Sequence, residues 1–259
     1  MQQKHSYTFT NRNTKYFINQ LNNTTMEQND QFYQVNENEI VNAQQKCPCI
    51  ILADVSGSMS EEPIAELNQG LQVFATEILH DKTAAARLEL AVVSFGSTAK
   101  LERPFALISE NEMPTLSVHG STNLEDGMAL AFQQLEQRKQ YYRAQKATYY
   151  RPYIILITDG APDKDPENSG LIAKLREQTA ANKYSFWPIG VAGADMELLG
   201  KMACPGGGNL PAMQLEGLNF DKLFKWLSAS FTKISNSHPG DMVDIAPTAD
   251  NNPFRLTVS

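Results

Sequence analysis

Five oxygen-bearing side chains in this sequence predict a site for a divalent cation. Two carboxylates and two hydroxyls follow the apolar runs CIILA and YIILIT, and a third hydroxyl lies in the polar segment HGSTN. Mg²⁺ prefers octahedral oxygen coordination at about 2.0–2.1 Å and usually keeps several waters. One or two carboxylates with several hydroxyls meet that preference. The predicted metal ligands are Asp54, Ser56, Ser58, Thr122 and Asp159, with Ser121 as the alternative to Thr122 in the same loop.

The pattern of strands and helices explains how residues so far apart in the chain can meet. Continuous apolar runs, typical of strands buried on both faces, occur at 49–53, 88–95 and 153–158. The alternating segment 99–108 follows a short Gly-Ser-Thr turn and predicts an antiparallel strand at one edge. Further strands are predicted at 184–190 and 208–214, and helices at 64–78, 124–135, 168–182, 195–201 and 220–234.

This alternation predicts an α/β fold, with a doubly wound, mostly parallel central sheet, one antiparallel edge strand and helices on both faces. Ligands of such sheets bind outside the carboxyl ends of the strands, where the connections reverse direction. Because Asp54 and Asp159 each follow a strand directly, we expect both carboxylates at that edge. The hydroxyls of the neighbouring loops are expected to converge there as well.

Helix capping is the ordinary alternative explanation for these residues. Asp and Ser after a strand are common helix caps, and Asp-Gly is a common turn. However, Ser60 already supplies a predicted N-cap for the first helix, with Glu61, Glu62 and Pro63 in its first turn. Three motifs at three junctions therefore favour metal binding over capping alone.

The motifs DVSGS, ST and TDG resemble the metal-ion-dependent adhesion site of the von Willebrand factor A (VWA) family, whose pattern is D-x-S-x-S, a distal Thr and a distal Asp. The resemblance covers about residues 47–236. It implies that Ser56, Ser58 and Thr122 contact the metal directly and that Asp54 and Asp159 often act through water. It also implies that a carboxylate of a protein partner completes the metal shell.

Three longer stretches, DVSGSMSEEPIAELNQGLQVF, TNLEDGMALAF and RPYIILITDGAPDKD, look most like bacterial cytoplasmic VWA proteins of the tellurium-resistance and stress-response type. That narrower resemblance implies an adaptor in a multiprotein system with kinases, phosphatases or chaperone-like partners. The front of the chain departs from this pattern, since 17 of its first 45 residues are Asn or Gln. Such a segment by itself buries too little surface to offset its ordering entropy, so residues 1–45 are predicted to be a flexible extension, or to dock on the domain or on a partner.

The remaining organisation follows from this assignment. Residues 46–236 are predicted to form the VWA domain, and residues 237–259 a tail with one strand-like contact at most. Met26 is a candidate alternative translation start, with an ordinary internal methionine as the other interpretation. Cys47, Cys49 and Cys204 are predicted to be free thiols, because no His lies at zinc-ligand spacing and three cysteines complete no disulfide framework.

Composition excludes several classes of function. The formal net charge of -7 disfavours nucleic acid as a partner. No run approaches the roughly 20 apolar residues of a membrane span, and the first residues lack the apolar stretch of a secretory signal. The protein is therefore expected in the cytoplasm, without a nucleic-acid or membrane partner.

Other candidate residues have simpler interpretations. His119 is predicted to be an exposed loop imidazole, because an oxygen-only set suits Mg²⁺ or Mn²⁺, and less well Ca²⁺, without a nitrogen ligand. Asp163 and Asp165 could hold a second ion, but a solvated acidic loop is the favoured interpretation. The triplet Gly206-Gly207-Gly208 lacks the G-x-G-x-x-G spacing and the P-loop Lys, so it is predicted to be a turn.

The sequence favours a binding module over an enzyme. An Mg²⁺-dependent phosphoryl-transfer hydrolase would use Asp54 as nucleophile, but Ser56 stands where such an enzyme places its second Asp. No His base is predicted near Ser56. The alternative that keeps the metal site is a VWA subunit that works with a ring ATPase, as in chelatases.

Overall fold

A six-stranded sheet forms the centre of the protein. The computed structural model describes residues 44–109, 112–206, 208–238, 241, 243–247 and 252–254. The strand order is β3-β2-β1-β4-β5-β6, and all neighbours are parallel except β2 and β3. The strands are β1 (Cys47–Asp54), β2 (Leu88–Phe95), β3 (Ala99–Leu107), β4 (Tyr153–Thr158), β5 (Ser185–Gly190) and β6 (Met213–Gln214). The predicted fold class, with its antiparallel edge strand, is confirmed.

Helices surround this sheet. They are α1 (Glu62–His80), α2 (Lys82–Arg87), α3 (Leu124–Gln145), α4 (Leu171–Ala180), α5 (Met196–Met202) and α6 (Phe220–Asn236), and a short 3-10 helix covers Gly57–Met59. In the part of the chain that the structure describes, no helix is long and apolar enough to cross a membrane.

The central strand β1 is buried on both faces, as its apolar sequence predicts. Ile51 and Ala53 belong to the core cluster that includes residues of α1 and α6. Ile50 and Leu52 are equally buried and point to the opposite face, because side chains alternate along a strand. The helix α3 packs on β1, β2 and β3. Since β2 and β4 flank β1 on opposite sides, the connections reverse beside β1, and its carboxyl end is where ligands bind in such sheets.

Aromatic rings join α6 to α1 and to the sheet. Phe74 of α1 makes edge contacts with Phe224 and Phe231 of α6, with ring centroids 6.0 and 6.1 Å apart. Trp187 of β5 lies 5.8 Å from Phe231 and 5.9 Å from Trp226. These contacts place the amphipathic α6 against one face of the sheet, as the apolar spacing at 220–234 predicts.

A buried ion pair fixes α3 on β2. Arg138 donates from Nε to Glu89 Oε2 at 2.7 Å and forms an ion pair through Nη2 with Glu89 Oε1 at 2.6 Å. The Tyr142 hydroxyl also donates to Glu89 Oε2. Because Glu89 and Arg138 are both buried, the bidentate pairing offsets the cost of taking two charges out of water.

Two predictions about element ends are wrong. Ser60 does not cap α1: the chain forms the 3-10 turn first, where the Ser60 N–H donates to Gly57 O, and α1 follows with Glu61 as N-cap residue. The strand predicted at 208–214 shortens to Met213–Gln214. The backbones of Gly206 and Asn209 instead pair with each other, and Gly208 lies in a turn. The predicted turn at the glycine triplet is therefore confirmed for Gly206 and Gly208, while Gly207 lies outside the described residues.

The three cysteines are free thiols in the structure, as the sequence predicts. Cys47 and Cys49 are free and buried, and Cys204 is free and partly buried. In the tail, the backbone of Phe254 forms one isolated antiparallel bridge with Leu215. The ring of Phe254 packs edge-on against that of Trp226, with the ring centroids 5.1 Å apart. Residues 1–43 lie outside the described part of the chain, so the flexible extension and the start at Met26 stay predictions.

Candidate metal site

The two predicted carboxylates lie side by side because adjacent parallel strands carry them. Asp54 is the last residue of β1, and Asp159 directly follows Thr158, the last residue of β4. Ala53 pairs with Ile157 in this register, so both strands end at the same edge of the sheet. Asp54 is completely buried and Asp159 is 7% exposed.

Two donors hold the Asp54 carboxylate. Its Oδ1 accepts from the backbone N–H of Ser56 at 2.9 Å, and its Oδ2 accepts from Thr158 Oγ1 at 2.6 Å. Burial raises the pKa of Asp54 above its ordinary value, although the hydrogen bonds from Thr158 and Ser56 oppose that rise. A cation beside the carboxylate would favour its ionised form.

The serines of the β1 loop connect to the second carboxylate. Ser58 Oγ donates to Asp159 Oδ1 at 2.8 Å and lies 3.1 Å from Ser56 Oγ. Burial raises the pKa of Asp159, and the charge of Asp54 raises it further. The loops after β1 and β4 are thus joined through their predicted ligands.

Thr122 completes the set from a third loop. A Cβ atom built on Gly160 would lie 3.4 Å from Thr122 Oγ1, 3.6 Å from Ser58 Oγ and 3.9 Å from Asp54 Oδ2. Two oxygens from the end of β1 and its loop and one from the Thr122 loop therefore lie around one point, which the missing side chain of Gly160 leaves open. The neighbouring Ser121, the alternative hydroxyl in this loop, donates instead to Asp163 and lies 3.5 Å from Ser97 Oγ.

The donor chemistry of this cluster fits a hard divalent cation. Its members are two carboxylates and three hydroxyls, all of them oxygen donors. The double positive charge would offset the repulsion between the two acids. Among the described residues, no group of three His, Cys, Asp or Glu side chains could hold a metal ion, so the cluster is no nitrogen or sulfur site of the zinc type.

Backbone hydrogen bonds connect the Thr122 loop to the segments that follow β1 and β2. His119 N donates to Val55 O at 2.7 Å, Gly57 N to Gly120 O at 3.0 Å, and Asn123 N to Gly96 O at 2.9 Å. The imidazole of His119 packs over Gly96, where a Cβ would lie only 2.5 Å from Nδ1. The prediction of an exposed His119 is therefore wrong, since this packing leaves it partly buried.

Asp163 and Asp165, in the acidic loop after β4, make different contacts. Asp163 Oδ2 accepts from Ser121 Oγ at 2.6 Å, and its Oδ1 accepts from Thr122 N at 3.1 Å. These bonds lower the pKa of Asp163, with that from Ser121 the larger cause. Asp165 accepts only within its own loop, from Glu167 N and Asn168. Both carboxylates are exposed, as a solvated acidic loop requires, but Asp163 also accepts hydrogen bonds from the segment Ser121-Thr122.

Sequence reasoning also missed Thr158. Its hydroxyl fixes Asp54, but in the sequence it ends an apolar run and reads as an ordinary strand residue. Its place directly before Asp159, at the end of a strand next to β1, is the signal that could have found it. For Asp163 the signal is its place in the same loop as Asp159, four residues further on.

The sequence of the chain is similar to that of known proteins. The family of the von Willebrand factor type A domain matches residues 49–223. Inter-alpha-trypsin inhibitor heavy chain H4 of Sus scrofa is 32% identical over 169 residues, which cover 61% of this chain and 17% of that protein. This chain thus spans less than a fifth of the length of that relative.

Solved structures agree on the fold. The pilus adhesin SpaC from Lactobacillus rhamnosus GG matches with a TM-score of 0.54 and 13% identity, covering 74% of this chain and 32% of that one. Proximal thread matrix protein 1 from the mussel byssus matches with a TM-score of 0.51 and 17% identity, covering 73% of this chain and 48% of that one. At these identities the likeness concerns the fold alone.

Proposed function

The chain belongs to the von Willebrand factor type A family, and we propose that it is a protein-binding module whose divalent metal captures a carboxylate of its partner. The observation that carries this proposal is the convergence of Thr122, Ser58 and Asp54 oxygens around the open position at Gly160. A site built from three loops at the sheet edge is accessible to another protein, as the exposure of Ser58 and Ser121 indicates.

The contacts support a division of labour among the ligands. Ser56, Ser58 and Thr122 would hold the metal directly through their hydroxyls. Asp54 already accepts from Ser56 N and Thr158 Oγ1, which suits a carboxylate that acts on the ion through water. Asp159, which accepts from Ser58, would act in the same way.

Mg²⁺ or Mn²⁺ is the proposed ion. Both accept octahedral coordination by carboxylate, hydroxyl and water oxygens. Ca²⁺ takes six to eight oxygens at about 2.3–2.6 Å and is less well suited to this compact set. When bound, the metal supplies a positive charge and a coordination position for the carboxylate of a partner.

The charge around the site constrains the partner. Glu61 and Glu62 lie at the start of α1, and Asp163 and Asp165 lie in the loop after β4, which also contains the cation Lys164. Lys164 is itself 3.8 Å from Glu125. A densely acidic partner would be repelled by these side chains. We therefore propose a partner that presents one Asp or Glu from a neutral or basic surface.

The contacts of Ser56 argue against an enzyme. A nucleophilic hydroxyl needs a base within hydrogen-bond reach. Ser56 Oγ lies 3.1 Å from Ser58 Oγ, and a hydroxyl is no such base. Asp54, the alternative nucleophile, is completely buried beneath the loop and held by two donors. We therefore propose binding without catalysis.

The biological setting stays a prediction. We propose a cytoplasmic adaptor in a stress-response or tellurium-resistance type of system, as the stretches around the three motifs suggest. The subunit of a ring ATPase is the alternative that retains the same site. The identity of the captured partner separates these two settings.

Affinity purification in Mg²⁺ and in EDTA, with mass spectrometry of the captured proteins, tests the proposal. We expect a partner that is retained in Mg²⁺, released by EDTA and lost with Asp54→Ala. Asp165→Ala is the matched control, because Asp165 is an exposed acid near the site whose hydrogen bonds stay in its own loop. Capture that ignores both EDTA and Asp54→Ala would refute metal-dependent binding.

A further inference from the structure

We infer that Asp163 is a positioning residue of the metal site, which holds Thr122 in place without contacting the ion. This inference rests on the proposed metal-binding function and adds a residue that the D-x-S-x-S, Thr and Asp pattern does not contain. Its basis is a set of three hydrogen bonds between the Asp163 residue and the segment Ser121-Thr122.

Two of the three hydrogen bonds fix the backbone of Thr122, and the third holds the side chain of Ser121. Asp163 Oδ1 accepts from Thr122 N at 3.1 Å, and Asp163 N donates to Thr122 O at 3.0 Å. Asp163 Oδ2 accepts from Ser121 Oγ at 2.6 Å. Both backbone polar groups of Thr122 are therefore fixed by one residue, which leaves mainly the side-chain torsion free to aim Oγ1.

The other hydrogen bonds of the Thr122 loop do not replace those from Asp163. His119 N binds Val55 O and Asn123 N binds Gly96 O, so they hold the loop on the β1 and β2 side. Only the Asp163 bonds among these join it to the loop that follows β4. Because that loop also carries Asp159, Asp163 sets the position of Thr122 relative to a second predicted ligand.

A comparison within the loop distinguishes Asp163 from its neighbour. Asp163 and Asp165 are both acids, both follow Asp159 closely, and both are exposed. Asp165 accepts from Glu167 N and Asn168 Nδ2, so it organises only the turn before α4. If negative charge near the ion were the important property, the two acids would act alike. If the hydrogen bonds to Thr122 matter, only Asp163 would act.

The expected effect follows from the behaviour of residues that orient metal ligands. Removing such a partner typically costs about 10- to 100-fold in metal affinity. Asp163→Ala removes both side-chain acceptors, so we expect a loss within that range. Asp163→Asn keeps a carbonyl oxygen for Thr122 N and an amide that can donate to Ser121 Oγ, so we expect it to restore most of the affinity.

The experiment is a Mn²⁺ titration followed by water proton relaxation, with Mg²⁺ added in competition. Wild type, Asp163→Ala, Asp163→Asn, Asp165→Ala and Asp54→Ala are compared, each with its thermal midpoint in EDTA. Ser121→Ala and the double variant Ser121→Ala/Asp163→Ala test whether the two residues share one bond. In that case, the double variant loses less affinity than the product of the two single losses.

The outcomes separate this inference from the proposed function. Weaker binding in Asp163→Ala, with recovery in Asp163→Asn and no change in Asp165→Ala, supports the positioning role. Equal affinities of wild type and Asp163→Ala, while Asp54→Ala binds no Mn²⁺, overturn it and leave the proposed function intact. Equal loss in Asp163→Asn and Asp163→Ala also overturns it, because charge would then be the active property. Unchanged binding in Asp54→Ala would instead refute the metal site itself. If Asp163→Ala does not fold, Asp163→Asn and Ser121→Ala test the inference instead. A complete loss of Mn²⁺ affinity in Asp163→Asn would overturn it, and so would an unchanged Mn²⁺ affinity in Ser121→Ala.

Discussion

Gly160→Ala should separate metal binding from stability. The added Cβ would lie 3.4–3.9 Å from the oxygens of Thr122, Ser58 and Asp54, which is ordinary van der Waals contact. The φ of Gly160 lies outside the left-handed range, so Ala fits the backbone. Replacing Gly by Ala at such a position typically stabilises a protein by about 0.4–1 kcal/mol, through the unfolded state. The metal-free variant should therefore be at least as stable as the wild type.

Metal binding should respond in the opposite direction, because the methyl group occupies space that the ion and its waters require. At a metal concentration of about 100 Kd, binding stabilises the wild type by about 2.7 kcal/mol. If the variant binds about 100-fold more weakly, the same concentration yields only about 0.4 kcal/mol. At about 2–4 °C per kcal/mol, the wild-type midpoint rises by roughly 5–11 °C and the variant midpoint by roughly 1–2 °C.

Differential scanning fluorimetry in EDTA and in Mg²⁺ measures both quantities. Gly200→Ala is the matched control, since a Cβ there meets no atom within 4 Å and lies in α5. A Mg²⁺-dependent rise in Gly160→Ala equal to that of the wild type would refute the placement of the ion among these three oxygens.

Two further predictions concern charge. Burial raises the pKa of Asp54 and of Asp159 above the ordinary value of 3.8, so the folded metal-free protein binds these protons more tightly than the unfolded chain. Their contribution to metal-free stability falls as pH rises through the raised pKa values, while metal affinity rises because the ion needs ionised carboxylates. The difference between the thermal unfolding midpoints in Mg²⁺ and in EDTA should therefore widen as pH rises above about 3.8. A difference that stays constant with pH would contradict this prediction. Arg138→Met leaves Glu89 buried without its ion-pair partner, so we expect it to lower the free energy of unfolding in urea titrations by about 3–5 kcal/mol. The Kd of the folded protein for Mn²⁺ should stay unchanged. A loss of stability below about 1 kcal/mol would contradict the stated cost.

Strong local patterns made the fold predictable. The runs at 49–53 and 153–158 are too apolar for any surface element, and each is followed directly by an Asp, which predicted two carboxylates at one edge of the sheet. The start of α1 was not predictable in this way, because Ser60 has the residue type of a cap. A hydrogen bond from Ser60 N to Gly57 O shows instead that the loop after β1 continues into a 3-10 turn before α1 begins.

The supporting residues of the site were harder to predict because their role depends on tertiary contacts. Thr158 and Asp163 have partners 104 and 41–42 residues away along the chain. Local periodicity contains no information at that separation. Asp163 and Asp165 look equivalent in the sequence, and only the approach of the Thr122 loop distinguishes them. The same approach makes Thr122, and not Ser121, the hydroxyl at the site.

The geometry of the site connects its metal affinity to the relative position of three loops. Asp54 and Asp159 are partly deprived of water, and the charge of Asp54 raises the cost of ionising Asp159. A bound dication removes that cost, so affinity is greatest when the loops hold the hydroxyls of Ser58 and Thr122 at the same point as the acids. Thr158 fixes the first acid and Asp163 fixes the Thr122 loop. A partner that displaced either loop would therefore alter metal affinity, and by reciprocity the bound metal would alter affinity for that partner.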